Sequence, residues 1–423
     1  MTAFPEIKPE ITSAGKRLVW LLLLVASAGY VCRVAVTVVA PGIMREFHLT
    51  QTQMGTVFSA FLLGYTVFQV PSGWLADHIS ARRVFLALCL GWVVLSAFTA
   101  MVAWRGFGIA VVIPQLWLIR GLFGVMAAPT YPTAGRTLAV TIPERLRARA
   151  NSVVLASVGV GSAVTPLLLA PVGMRYGWRV ALLAAGAIVG VAGLVWWCLA
   201  PKEHLLHHPL RADAGAPLAS GGLQSRPLRS ASFWFLFASY FLQGYLGYIF
   251  IFWFYLYLVQ VRHFEVLRAA SFTALPWIAT IFAIPLGGVF SDAAASRWGA
   301  TWGRRSVPLL SLSSAAIFLV IGARTPNATV AVAALTACTV LVLCTEGPFW
   351  ATMTQLSGER SGIAGGTMNF GSNLGGLISP VLTPWLAARI GWEEALSSTA
   401  GLALIAGLLW LGIQIGRPAC ENS

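Results

Sequence analysis

The sequence predicts an all-α membrane protein with twelve transmembrane helices in two pseudo-symmetric six-helix bundles. Of its 423 residues, 57% are hydrophobic and only 10% are charged. The apolar residues fall into twelve long runs, and the second half of the chain repeats features of the first. Soluble domains carry about 25% charged residues. Hydrocarbon rather than water is therefore expected to surround most of the chain.

A helix needs about twenty apolar residues to span a bilayer. The runs that satisfy this are 18–43, 53–76, 83–104, 110–139, 149–173, 179–200, 233–259, 271–291, 306–323, 328–351, 362–387 and 394–416. Residues 201–232 between the sixth and seventh runs are rich in Pro, Gly, Ser and charge. We therefore expect an N-terminal bundle over 1–200, a cytoplasmic linker over 201–232 and a C-terminal bundle over 233–423.

Basic residues predict the orientation of these spans. With the N-terminus inside, cytoplasmic segments hold eighteen Lys and Arg and external loops hold eight. Because basic residues accumulate in cytoplasmic loops, both termini are expected in the cytoplasm. The same distribution accounts for the net charge of +14 without a nucleic-acid partner. The polar N-terminus indicates an uncleaved first span in the cytoplasmic membrane.

The sequence contains no pattern that indicates a metal site or an enzyme active site. The six cysteines form no CxxC pair and have no histidine at zinc spacing. The sequence contains no HExxH, GxSxG or P-loop pattern. We therefore expect no metal site, no cofactor and no enzymatic activity.

The two halves of the chain are related by an offset of 215 residues. The run from Gly73 to Asp77, Gly-Trp-Leu-Ala-Asp, recurs as Gly-Val-Phe-Ser-Asp ending at Asp292. The same offset places Tyr248 opposite Arg33. A duplicated six-span unit is typical of transporters whose substrate site lies near the midplane between the halves.

The segment from Gly73 to Arg83 resembles the signature loop of the major facilitator superfamily. His78 stands where that family has a basic residue, and Ser80 where it has a glycine. In the family, the aspartate and arginines of this loop hold the cytoplasmic gate. The resemblance implies that role for Asp77, Arg82 and Arg83, with Gly73 and Asp292 as motif positions.

A narrower resemblance is to the anion:cation symporters, which carry sugar acids and other organic anions. It covers the whole chain, in the segments Tyr30–Pro41, Met54–Asp77, Arg120–Arg136, Gly177–Arg179, Gln243–Trp253 and Asn369–Pro380. It implies alternating access around a central site that binds a small organic anion. A sugar acid, an aromatic acid or a dicarboxylate would fit.

Two departures from the family concern its proton carriers. The family has an aspartate where this chain has Cys32, and a glutamate where it has Ala127. Among the 14 acidic residues, Glu346 is the one that lies well inside a predicted span. Aligning the two halves on Pro129 and Pro348 places Glu346 opposite Ala127. We therefore expect Glu346 to be the candidate for proton coupling, with a static ion pair as the alternative.

Arg33 is the first candidate for substrate binding because it lies about fifteen residues into its span, near mid-depth. A charge at that depth costs about 2.5 to 3.5 kcal/mol on insertion scales and usually faces a water-filled cavity. Tyr30 lies one turn before Arg33 on the same helix face. With Tyr65 and Tyr248, it could donate hydrogen bonds to substrate oxygens, although tyrosines in spans often serve packing.

Further candidates rest on the resemblance and have structural alternatives. Arg120 could contact substrate or organise the helices, and Asn369 could contact substrate or join two helices. Trp350, one turn after Glu346, could line the cavity or pack.

These observations predict secondary transport of an organic anion by a monomer in the lipid bilayer. The coupling stays open: proton symport through Glu346, exchange against another anion, or uniport. A transporter-like solute receptor is a further alternative, although the short linker leaves little room for a signalling domain.

Overall fold

The computed structural model describes residues 12–102, 109–201, 230–357 and 361–415. The first half contains α1 Ser13–Phe47, α2 Gln51–His78, α3 Ala81–Ala100, α4 Ile109–Ala127, α5 Thr130–Thr141, α6 Glu144–Leu155, α7 Ser157–Tyr176 and α8 Trp178–Leu199. Nearly all of the predicted linker lies outside the described residues.

The second half has a similar succession of helices. They are α9 Ala231–Phe252, α10 Val266–Trp298, α11 Ala300–Arg324, α12 Ala328–Leu343, α13 Glu346–Ser357, α14 Ser361–Ile390 and α15 Trp392–Leu408. A short helix, Phe254–Leu256, and a π-helical segment, Tyr257–Val261, extend α9. A 3₁₀ turn, Leu409–Gly412, extends α15.

The helices confirm a multi-pass membrane protein. Within the described residues, eleven helical stretches are long and apolar enough to cross a membrane. The predicted span 362–387 is the one not among them, yet it forms the 30-residue helix α14. At 1.5 Å per residue this helix is about 45 Å long, enough to span the bilayer. Its glycines and polar side chains lower its hydropathy.

Two predicted spans are interrupted next to a proline. The fourth breaks at Ala128 and Pro129, and the tenth at Cys344 and Thr345, four residues before Pro348. Proline lacks an N–H group, and its ring clashes with the carbonyl four residues earlier. The freed Cys344 carbonyl lies against Gly287, where a Cβ would approach it to 1.8 Å. The two breaks therefore occur beside the matched positions of the two halves.

Two antiparallel helix pairs join the halves: α2 with α14, and α7 with α10. Glycines allow both crossings. A Cβ on Gly55 of α2 would lie 1.9 Å from the Pro380 carbonyl oxygen, and one on Gly159 of α7 would lie 2.9 Å from that of Trp277. The backbones at these crossings are therefore in direct contact.

We call the end at which α1 begins and α8 ends the linker end, and the opposite end the far end. Hydrogen bonds and ring contacts between the halves close the far end. Gln51 donates to Gln260 at 3.1 Å and accepts from Trp392 at 3.2 Å. Phe58 stacks on Phe252 at 5.1 Å between ring centroids. Towards the linker end, side chains of α2 such as Val70 are exposed instead.

Prediction: Gly124→Ala destabilises the protein. Its Cβ would lie 1.9 Å from the Phe61 carbonyl oxygen and 2.7 Å from the Tyr65 nitrogen, both on α2. Overpacking of this kind costs about 1 to 3 kcal/mol. A thermal-unfolding assay in detergent should therefore show a lower melting temperature. Gly247→Ala on α9 is the control, because nothing lies within 4 Å of its added Cβ. Equal melting temperatures for both variants would contradict the tight α2–α4 crossing.

Candidate substrate site

Arg33 lies in the middle of α1 and faces the junction of the two halves. Its side chain is well buried, with the residue 6% exposed. Nη1 donates to the Tyr30 hydroxyl at 3.0 Å, and Nη2 donates to the Tyr248 hydroxyl at 3.3 Å. Because Tyr248 belongs to α9, this guanidinium joins the N-terminal bundle to the C-terminal one.

Aromatic rings surround the same guanidinium. Its Cζ lies 4.7 Å from the ring centroid of Phe61, 5.0 Å from Tyr30, 5.4 Å from Tyr65 and 5.9 Å from Tyr248. A cation over ring faces is attracted by their quadrupoles, more strongly when it is desolvated. The predicted residues Tyr30, Tyr65 and Tyr248 thus meet around Arg33. Phe61 joins them without having been predicted.

No carboxylate lies within ion-pair distance of Arg33 among the residues that the structure describes. Its Nε is buried and has no hydrogen-bond partner. Neutral hydroxyls and ring faces only partly replace water around a cation in a low-dielectric site. The site is therefore chemically suited to an anion.

Tyr248 continues the hydrogen-bond chain to a residue that the sequence analysis missed. Its hydroxyl donates to Oδ1 of Asn373 on α14 at 3.1 Å. Asn373 is 4% exposed, and its Nδ2 has no partner. Asn373 follows Asn369 by four residues, so helical spacing could have placed both on one face.

Arg120 lies behind α1. It is 1% exposed, and its Nη2 donates to the backbone carbonyl of Arg33 at 3.1 Å. Its guanidinium is 5.0 Å from the ring centroids of both Phe61 and Phe123. These contacts fit a residue that positions the Arg33 segment.

Asn369 and Trp350 lie on the linker-end side of this cluster. Asn369 Nδ2 donates to Oε1 of Gln69 at 3.0 Å, which links α14 to α2 across the halves. Trp350 is 40% exposed, and its ring would lie 3.2 Å from a Cβ on Gly365. Asn369 therefore makes the helix-to-helix hydrogen bond that was its structural alternative.

Glu346 is the first residue of α13 and bonds to α9. Tyr240 donates to its Oε2 at 2.8 Å, and Gln243 donates to its Oε1 at 2.9 Å. Within the described part of the chain no basic residue forms an ion pair with it. Tyr248 follows Gln243 by five residues, about 7.5 Å along the helix. Helix α9 thus contacts Glu346 at one level and Arg33 at another.

Cys32 points away from this cluster. Its Sγ lies 3.6 Å from the Ser96 hydroxyl on α3, where both groups are buried. The residue that stands in place of the family's aspartate therefore gives Arg33 no negative partner.

The motif residues lie at the linker end. Arg82 donates to the Trp197 carbonyl at 2.7 Å, and its Cζ is 4.4 Å from that ring. Arg83 lies in the first turn of α3, and Gly73 has open space around it. The side chain of Asp77 lies outside the described part. Asp292 pairs with Arg304 inside the second half.

Comparison with known proteins shows the family. The family profile described as Major Facilitator Superfamily matches residues 20–369. The chain belongs to the major facilitator superfamily. The family assignment agrees with the two bundles, the repeat and the midplane cluster.

Relatives within the superfamily match along nearly the full chain. A probable sulfoacetate transporter of Cupriavidus necator is 28% identical over 399 residues, covering 92% of this chain and 91% of the relative. A hexuronate transporter of Bacillus subtilis is 27% identical, with 94% and 95% covered. A D-galactonate transporter of Escherichia coli is 27% identical, with 90% and 91% covered.

Solved structures show the same fold. A bacterial homologue of the human lysosomal transporter Spinster, in an inward-facing and unoccupied conformation, matches with a TM-score of 0.77. The sequence identity is 18%, and the match covers 95% of this chain and 97% of that chain. The nucleoside transporter NupG (D323A mutant) matches with a TM-score of 0.69 at 12% identity, with 94% and 99% covered.

Prediction: Tyr248→Phe lowers the melting temperature of the substrate-free protein. It removes the acceptor for Arg33 Nη2 and the donor for Asn373. Leaving buried polar groups unpaired costs about 1 to 3 kcal/mol each. Tyr255→Phe is the control, since Tyr255 is buried and makes no side-chain hydrogen bond with the residues described here. If both variants melted together, Tyr248 would have no structural role at the junction.

Proposed function

We propose that this protein is a secondary transporter that moves a small organic anion across the cytoplasmic membrane by alternating access. The observation that carries the proposal is the Arg33 guanidinium at the junction, surrounded by hydroxyls and ring faces. The relatives support it, because three that match along nearly the whole chain are named for sulfoacetate, hexuronate and D-galactonate. Each of these compounds carries an acidic group.

The anionic group of the substrate binds Arg33 and the hydroxyls around it. A carboxylate or sulfonate accepts hydrogen bonds from Nη1 and Nη2 in place of Tyr30 and Tyr248. The Tyr30 hydroxyl can then donate to the same anion, because a hydroxyl can serve as donor or acceptor, while Tyr248 continues to donate to Asn373. Charge-assisted hydrogen bonds of this kind are about twice as strong as neutral ones.

Alternating access follows from the position of Arg33 between the bundles. Contacts at the far end close the site on that side. The excess of basic residues supports a cytoplasmic linker end, and in that orientation the described conformation is closed to the outside. Rocking of the halves breaks these contacts and forms others at the linker end.

Proton coupling is assigned to Glu346. The acids that carry protons in the family are replaced by Cys32 and Ala127, while Glu346 bonds to α9, the helix that carries Tyr248. Neutral donors hold its oxygens, so protonation breaks no ion pair among the described residues. Exchange and uniport are the outcomes expected if Glu346 has no such part.

The test is uptake by proteoliposomes that contain the purified protein. Sulfoacetate, a hexuronate and galactonate are the first substrates, with the pH gradient and the membrane potential varied separately. Saturable uptake of at least one anion is expected. Transport of cationic or neutral solutes alone would overturn the proposal.

Prediction: Arg33→Gln reduces uptake at least a hundredfold, while Arg33→Lys retains part of it. Gln removes the charge, and Lys keeps it without the two-nitrogen fork. Initial rates over a range of substrate concentrations measure both effects. Arg45→Gln, near the end of the same helix and exposed, is the control and should transport normally. Normal uptake by Arg33→Gln would rule out this anchor.

Prediction: Glu346→Gln abolishes the acceleration of uptake by an inward proton gradient. Gln preserves hydrogen bonding but cannot carry a proton. Counterflow exchange without a gradient should continue, which separates coupling from folding. Glu265→Gln, at an exposed position before α10, is the matched control. A wild-type response to the gradient in Glu346→Gln would assign coupling elsewhere.

A further inference from the structure

We propose that Asn373 selects substrates that carry an oxygen acceptor close to the anionic group bound at Arg33. The inference rests on the proposed function and names the substrate class more narrowly. It assigns to the site a residue of α14 whose amide nitrogen has no partner in the structure.

The hydrogen-bond chain fixes how the Asn373 amide is oriented. A guanidinium donates and never accepts. The Tyr248 hydroxyl must therefore accept from Arg33 Nη2, at 3.3 Å, and its own proton is free to donate. That proton goes to the oxygen of Asn373 at 3.1 Å. The amide oxygen faces Tyr248, and the NH₂ group is turned the other way.

Two hydrogen-bond donors, one on each residue that Tyr248 contacts, therefore have no partner. Asn373 Nδ2 and Arg33 Nε are both shielded from water and have no partner. Buried polar groups are nearly always hydrogen-bonded, so an exception at a junction of two mobile bundles indicates a missing partner. A ligand that brings an acceptor to each donor would satisfy both.

The close packing of α9 on α14 holds Asn373 in this position. A Cβ on Gly376 would lie 2.1 Å from the Tyr248 ring, and one on Gly375 would lie 2.1 Å from the Phe241 carbonyl oxygen. The Tyr248 ring therefore lies flat against the α14 backbone, within reach of Asn373. Asn373 cannot retreat to solvent, which makes its donor a selective contact.

A donor without a partner discriminates strongly between ligands. A ligand lacking the acceptor leaves Nδ2 unpaired, whereas a ligand with a hydroxyl or a second acid group pairs it. Sites built to hydrogen-bond a substrate group reject analogues without it. A ligand with one carboxylate and no other oxygen would bind Arg33 and leave Asn373 unpaired.

The test compares three carboxylates that each contain three carbon atoms: propionate, lactate and malonate. Lactate adds a hydroxyl, and malonate adds a second carboxylate. Titration calorimetry of the purified full-length protein gives their dissociation constants. Wild type should bind lactate or malonate at least about fivefold more tightly than propionate, the ratio expected for one hydrogen bond. Whichever of lactate and malonate gains more affinity relative to propionate identifies the preferred acceptor as a hydroxyl or an acid group.

Asn373→Leu and Asn373→Ala remove the donor and should reduce that ratio to about one. Propionate binding should change much less, which a general loss of structure would not produce. Ser379→Ala is the control, because Ser379 is also a buried and unpartnered polar residue of α14. Its ratio should equal that of wild type.

Two results overturn the inference and leave the proposed function intact. One is equal affinity of wild type for all three anions, a measurement that needs no variant. The other is an unchanged ratio in a folded Asn373 variant. Failure of wild type to bind any organic anion, including sulfoacetate, a hexuronate and galactonate, would reject the proposed function as well.

Discussion

The Arg33 guanidinium is the constraint on which the centre of this transporter depends. A cation near mid-membrane that only donates hydrogen bonds requires acceptors, and the described residues supply tyrosine hydroxyls from both halves. The surrounding ring faces and the bracing bond from Arg120 to the α1 backbone follow from the same need. The halves therefore meet at a charge that neither neutralises. In the proposed function an anion supplies the missing charge, and its departure restores the hydroxyl contacts.

With the family's acids absent from the first half, the coupling proposed for Glu346 in the second half has a simple electrostatic form. Helix α9 carries Tyr248 against Arg33, and Gln243 and Tyr240 against Glu346. In the proposed mechanism, an anion bound at Arg33 repels a charged Glu346, which the same helix also contacts, and thereby favours the protonated form of Glu346. Linkage makes the effect reciprocal, so a proton on Glu346 strengthens anion binding. Cotransport in one direction requires only that both leave on the same side.

The sequence predicted the spans from the length of the apolar runs, and it placed Tyr248 opposite Arg33 from the constant repeat offset. It did not predict the partners of Glu346 or the place of Asn373. Those contacts depend on how α9 packs against α13 and α14, and its packing on α14 is set by the close approaches at Gly375 and Gly376. Asn369 illustrates the limit: its helix face was predictable, but its partner Gln69 lies on the other half. The roles of all these residues remain proposals.

Helix α14 combines a low hydropathy with polar side chains that face the interior of the protein. It is the predicted span whose composition is less apolar than that of the others, yet many of its polar groups never meet lipid. Thr383 pairs with Tyr245 at 2.8 Å, and Asn369 pairs with Gln69 at 3.0 Å. A polar group that is hydrogen-bonded inside the protein avoids the free-energy penalty of an unsatisfied group in the hydrocarbon region. Its glycines make this packing possible: Gly376 leaves room for the Tyr248 ring, and any larger residue would clash with that ring. The glycine-rich sequence of α14 therefore sets the position of Tyr248 beside Arg33 as well as the contact between helices.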